Sequence, residues 1–243
     1  MSVVSTLLMC SGTRAAEIRV LSSNAMTESM QNISVAFEKQ TGHKLAAVFE
    51  PTNMILDRLK RGEKADVVIL IKSSLSELVK NKAVKEGTVV DIARSRLALA
   101  MKTGHPKTDI STPESFAKAM LGSKSIAISK VGASGIQFTK ALQTLGIYDE
   151  IKPRIQVMEG AGRVGNFAAD GTAEYAVQMM SELLPVQGIQ IVGPLPGAFN
   201  FEIILSAAVS AEASDDAASK SLIQFLATPS SAAEFRSNGM EPL

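Results

Sequence analysis

The stretch EIRVLSSNAMTESMQNISVAFEKQTGHKLAAVFEPTNMILDRLKRGEKADVVILI, residues 17–71, decides the fold, because strand-like and helix-like segments alternate along it. EIRVLSS reads as a strand, residues 27–40 as a helix, HKLAAVF as a strand, residues 54–61 as a short helix and ADVVILI as a buried strand. The period is clearest in the first helix, where Met26, Met30, Ile33 and Phe37 fall 4, 3 and 4 apart on one face and TGH ends it. Strand and helix in this alternation imply a parallel sheet with helices on both faces.

The rest of the chain repeats the logic. RLALAMK and SIAISK read as strands, residues 135–145 as a helix stopped by Gly146, RIQVME as a strand, residues 164–170 as a helix and AEYAVQM as a strand. GIQIVGPLP and the strand-like FNFEIILSAAVS follow, then two helical segments, 215–226 and 230–236. The fold class expected is α/β, with two lobes of similar size, each a mostly parallel sheet flanked by helices. If the last two helices return to the first lobe, the chain crosses between lobes near 95–102 and near 199–208, which makes a two-strand hinge. The expected division is a signal segment over 1–16, lobe 1 over 17–95, lobe 2 over 96–200 and a return to lobe 1 over 201–243.

Composition narrows the function. Of 243 residues 46% are hydrophobic and 20% charged, and the net charge is +1, so nothing in bulk electrostatics favours nucleic acid or an acidic membrane. One cysteine, Cys10, excludes an intrachain disulfide, and one cysteine with two histidines cannot build a cysteine-rich zinc site. No cofactor is expected. VVSTLLMC followed by SGTRAA reads as the apolar region and cleavage site of a secretory signal, which places the mature protein in the periplasm. No Lys or Arg precedes the apolar run, and a ragged N-terminal extension fits the same residues. No later run reaches the roughly 18 apolar residues of a membrane span.

In open α/β sheets ligands bind beyond the carboxyl ends of the strands, where helix N-termini favour anions. Four turns therefore stand out: SSNAMT (22–27), EPTNM (50–54), VGASGI (131–136) and EGAGRVG (159–165). Thr52 or Asn53 would cap a helix and could also donate to a ligand; such residues are preferred caps in any helix, contributing about 1 kcal/mol without a ligand. Arg163 could clamp a carboxylate bidentately or point into solvent, and Lys72 is a second candidate cation. Glu50 would repel a small dianion if it faced the cleft and is otherwise a solvated loop residue. His43 and His105 read as solvated turn residues.

Residues 18–70, together with SGIQFTKALQTLGIYDEIKP (134–153) and TPSSAAEFRSNGM (228–240), resemble the periplasmic molybdate-binding proteins of ABC importers. The resemblance implies a type II periplasmic binding fold, a monomer whose two lobes close on a small anion, and delivery to an ABC permease. Matched residue by residue, the family's first oxyanion-binding serine falls on Ala25, just after Ser22, Ser23 and Asn24, and its second on or next to Thr52, beside Asn53. A backbone-amide donor falls at Ser134, before Gly135, the next near Ala161 or Gly162, and the tyrosine of the molybdate site at about Met179, in VQMMSE. Ala25 and Met179 carry no hydroxyl. Each loss leaves an oxyanion lone pair unpaired, at about 1–3 kcal/mol, which points to an anion other than molybdate, with organic acids favoured.

The chain also resembles aconitate isomerase on the same scaffold. That implies an alternative, the isomerisation of a small tricarboxylate by a 1,3-proton shift, with Glu50, Glu159 or Lys72 as base and Arg163 and helix N-termini holding carboxylates. A solute-binding protein needs no catalytic residue, and the sequence shows neither a phosphate loop of the GxxxxGK type nor a defensible Ser-His-Asp set. No helix-turn-helix region precedes the first lobe, so no nucleic-acid partner is expected.

Overall fold

The computed structural model describes residues 15–160 and 162–243. Cys10, Ala161 and all but the last two residues of the expected signal segment lie outside them. The chain opens with β1 (Glu17–Ser23), α1 (Thr27–Thr41), β2 (Lys44–Glu50), α2 (Thr52–Lys60), β3 (Val67–Ile71) and α3 (Lys72–Lys80). It continues with β4 (Val90–Lys102), α4 (Pro113–Gly122), β5 (Ile126–Ser129), α5 (Ala133–Thr144), α6 (Tyr148–Ile151), β6 (Ile155–Met158), α7 (Gly165–Ala169), β7 (Tyr175–Met179), α8 (Met180–Leu183) and β8 (Ile189–Pro194). β9 (Glu202–Val209), α9 (Asp216–Leu226), α10 (Pro229–Ser237) and β10 (Glu241–Pro242) complete it.

The strands order as β2-β1-β3-β9-β4-β7-β5-β6, with β8 and β10 also on β4. β2, β1 and β3 are parallel, as are β6, β5 and β7. The antiparallel pair β9 and β4 joins these two blocks. β4 pairs with β9 along residues 90–96 and with β7 and β8 along residues 97–102, so one continuous strand belongs to both halves. This is the two-lobed α/β architecture with two crossing strands, and it turns the carboxyl ends of both parallel blocks toward a common cleft.

The periodic face of α1 packs as its spacing demands. Met26, Met30, Ile33 and Phe37 are all buried in the core, where α1 packs against β2, α9 and α10, each contributing about 1.5–3 kcal/mol relative to exposure. Gly42, at φ 77°, ends α1 in the left-handed region that glycine adopts without strain.

Several boundaries differ from the sequence reading. α2 begins at Thr52, two residues earlier than expected, with Pro51 as N-cap and no side-chain cap bond; neither Thr52 nor Asn53 caps the helix. α3 follows β3 with no Gly or Pro between them, so nothing in the sequence marks the change of period. α4 was also not anticipated, although Thr112 and Ser115 form a capping box with Pro113 at the first helical position. His43 is buried instead of solvated: its Nδ1 accepts from the Ala16 N–H at 3.1 Å and its ring stacks on Phe37.

Candidate functional site

A cleft of about 180 Å³ lies between the turns at the carboxyl ends of the two parallel blocks, smaller than the roughly 300–1,000 Å³ of sites for drug-sized ligands. Ser23, Asn24, Ala25, Thr52 and Asn53 line it from the first block, and Ser134, Gly162 and Met179 from the second. Ser22, Gly135 and Arg163 do not line it. Ser22 is fully buried and its hydroxyl donates to the Ser23 carbonyl at 3.2 Å.

Two helix N-termini open on this cleft. α2 presents Thr52 and Asn53, whose backbone N–H groups have no acceptor within the helix. α5, with Gly132 as N-cap and no side-chain cap bond, presents Ala133 and Ser134. Gly135 makes this approach possible: a Cβ there would stand 1.8 Å from the Ser129 carbonyl oxygen, so the first turn of α5 can lie on the end of β5 only with glycine. The Thr52 hydroxyl oxygen is buried and, among the described residues, has no hydrogen-bond partner. An unpaired buried hydroxyl costs roughly 1–3 kcal/mol, a cost that a ligand can remove.

Glu182 is the one ionisable residue lining the cleft among the described residues, and it lies outside all four of the Gly-, Ser-, Thr- and Asn-rich turns. Asn24 Nδ2 and Gln178 Nε2 both donate to its Oε1, at 2.6 and 2.8 Å. Gln178 is itself fixed: its Oε1 accepts from the Val164 N–H at 2.8 Å and its Nε2 also donates to the Gly162 carbonyl at 3.0 Å. The residue is partly exposed, but protein surrounds its carboxyl group, and burial pushes the pKa up to about 7. The Met179 backbone, Gln178, Asn24 and the charge of Arg163 pull the other way without cancelling that effect.

The charged residues singled out from sequence are engaged elsewhere. Arg163 lines an adjoining cavity with Glu28 and pairs with its carboxylate. Glu50 is held by Arg58 through two hydrogen bonds, at 2.8 and 2.5 Å. Lys72 pairs with Asp91 at 2.5 Å, and exposed Glu159 with Lys130 at 2.8 Å. His105 is exposed, as expected. Glu182 was nevertheless reachable from sequence, since VQMMSE is a strand end running into a helical turn like the four turns that were read. Ser74, which lines the cleft from α3, needed only the recognition of that helix.

A cleft between two α/β lobes, floored by strand ends and walled by helix N-termini, defines a type II periplasmic binding fold. The chain belongs to the bacterial extracellular solute-binding proteins, whose family model matches residues 18–241. It is 32% identical over 231 residues to an aconitate isomerase of a Pseudomonas species, covering 93% of this chain and 88% of that one. To the molybdate-binding protein ModA of Azotobacter vinelandii it is 26% identical, covering 92% and 88%. The solved periplasmic molybdate-binding protein of Azotobacter vinelandii superposes with a TM-score of 0.77 at 18% identity, covering 92% of this chain and 98% of that one. Among the described residues no helix is long and apolar enough to cross a membrane.

Proposed function

We propose that this solute-binding protein captures a small organic acid with two or more carboxylates, in the periplasm, by closing residues 17–95 and 201–243 on residues 96–200. The observation that carries this reading is the cleft itself: two uncapped helix N-termini and an unpartnered Thr52 hydroxyl, with no Lys or Arg among the described lining residues. Amide and hydroxyl donors suit carboxylates. Ala25, Leu56, Ile71, Ile136, Met179 and Ile203 line the same space and suit a carbon skeleton better than a compact tetrahedral oxyanion. Ala25 and Met179 stand where the resemblance to molybdate-binding proteins implies hydroxyl donors. The captured acid would pass to an ABC permease.

A second reading is supported by the aconitate isomerase relative: the bound acid is isomerised within the cleft. The first test is a thermal-shift panel of citrate, cis- and trans-aconitate, molybdate, tungstate and sulfate. A ligand at about 100 times its Kd adds roughly 2.7 kcal/mol, or about 5–10 °C for a chain of this size. A shift with carboxylates is expected, and a shift with molybdate or tungstate alone would overturn the organic-acid reading.

A further inference from the structure

The position of Glu182 points to a chemical role, and we infer that its carboxyl group carries the proton in a one-base 1,3-shift on a bound unsaturated polycarboxylate. The inference rests on the organic-acid reading above and assigns the isomerisation to a residue of that site. Three observations converge on it. First, the cleft offers one proton-transfer group among its described lining residues, so removal and return of the proton fall to the same carboxyl. Second, two amides donate to Oε1, which holds the carboxyl plane and leaves Oε2 free of either bond. Third, the surroundings are built to keep a carboxyl from being permanently ionised: among the described residues no salt bridge reaches it, and Arg163, whose charge acts on it, is engaged by Glu28. Burial then places its titration near neutrality, where the same group serves as base and as acid.

The step balances without a co-reactant. The Glu182 carboxylate takes a proton from the methylene carbon next to a substrate carboxylate, breaking that C–H bond. The electron pair enters the neighbouring C=C bond, giving an allylic carbanion delocalised onto the carboxylates. Those carboxylates lie against the N–H groups of α2 and α5 and the Thr52 hydroxyl, which stabilise the added charge. Glu182 then returns the proton to the far allylic carbon; one C–H bond has broken, one has formed and the double bond has moved. Asn24 belongs to the first block and Glu182 to the second, so their hydrogen bond is complete only when the lobes are together, which confines the chemistry to the closed form.

The test follows cis- and trans-aconitate by NMR with the wild type and Glu182→Gln, while calorimetry measures binding to each. The expected result is interconversion by the wild type, a loss of about 10²–10⁴-fold in kcat for the variant, and binding that is retained or tightened, because Glu182→Gln removes a carboxylate from the anion's surroundings. In D2O the product is expected to retain part of its protium at the receiving carbon, because one group both takes and returns it. Equal kcat in Glu182→Gln would overturn the inference while leaving the binding reading intact, as would tight binding without turnover by the wild type. No binding by the wild type would overturn both.

Discussion

Two carboxyl groups, one at the amino ends of the first lobe's strands and one at the carboxyl ends of the second lobe's, show how neighbours decide what a buried acid does. Asp66 lies just before β3, at the amino ends, where Arg19 clamps it with Nε and Nη2 at 2.9 Å each. The Arg19 and Ser214 backbone N–H groups add bonds at 2.8 and 2.7 Å, and the Ser214 hydroxyl a further one. Burial opposes the charge on Asp66, but these donors outweigh it and hold the carboxyl well below the usual range. Glu182, beyond the carboxyl end of β7, faces Asn24 across the cleft and receives amides in place of a guanidinium, and burial prevails. Full compensation makes Asp66 a fixed structural anion, whereas partial compensation leaves Glu182 titratable.

The largest expected effect comes from breaking the compensated site. Asp66→Ala strips partners from Arg19 and Ser214, and a loss of about 1.5–3 kcal/mol, the range for hydrogen bonds to a charged group, is expected in urea unfolding. The wild type should weaken in acid for the same reason. Because folding lowers the Asp66 pKa, its contribution is complete above the ordinary carboxylate range and is lost as pH falls through it. That slope should flatten in Asp66→Ala.

Glu182 has the opposite sign. Folding raises its pKa from 4.5 to about 7, so its contribution is complete below about pH 4.5 and is lost as pH rises toward 7. Glu182→Gln should therefore melt several degrees above wild type at pH 8 and level with it at pH 4, as scanning calorimetry would show. A gain that is the same at both pH values would mean that burial does not govern this group.

The smallest change in the fold, and still a clear one in binding, is expected from Thr52→Val. With no protein partner to lose, it should leave Tm within about 1 °C while weakening carboxylate binding about tenfold, the share of one hydrogen bond to a charged group. Unchanged affinity would remove Thr52 from the site.

These contrasts also explain what was legible in the sequence. The face of α1 could be read because four buried residues share one period over several turns. The turns at strand ends could be read because the topology sends every parallel strand's carboxyl end to the cleft, which brought Asn24, Thr52, Ser134 and Met179 into view. Glu182 was missed because α8 has four residues, too few to show a period, and because the Asn24 that fixes its environment lies 158 residues away. Arg163 looked available for the same kind of reason, since Glu28, which engages it, lies on α1 in the other lobe. Sequence spacing reports what a segment buries, while the charge a side chain can carry depends on partners brought by distant strands.

Apart from Glu182, the described lining of the cleft offers an anion amides, hydroxyls and apolar surface with no Lys or Arg, so no array of cations draws a ligand in from a distance. Dissolved ions screen separated charges over about 8–10 Å but reach hydrogen bonds inside a closed cleft far less. Capture of the proposed organic acid should thus proceed at an ordinary, unsteered association rate and hold nearly the same affinity in dilute and in briny surroundings.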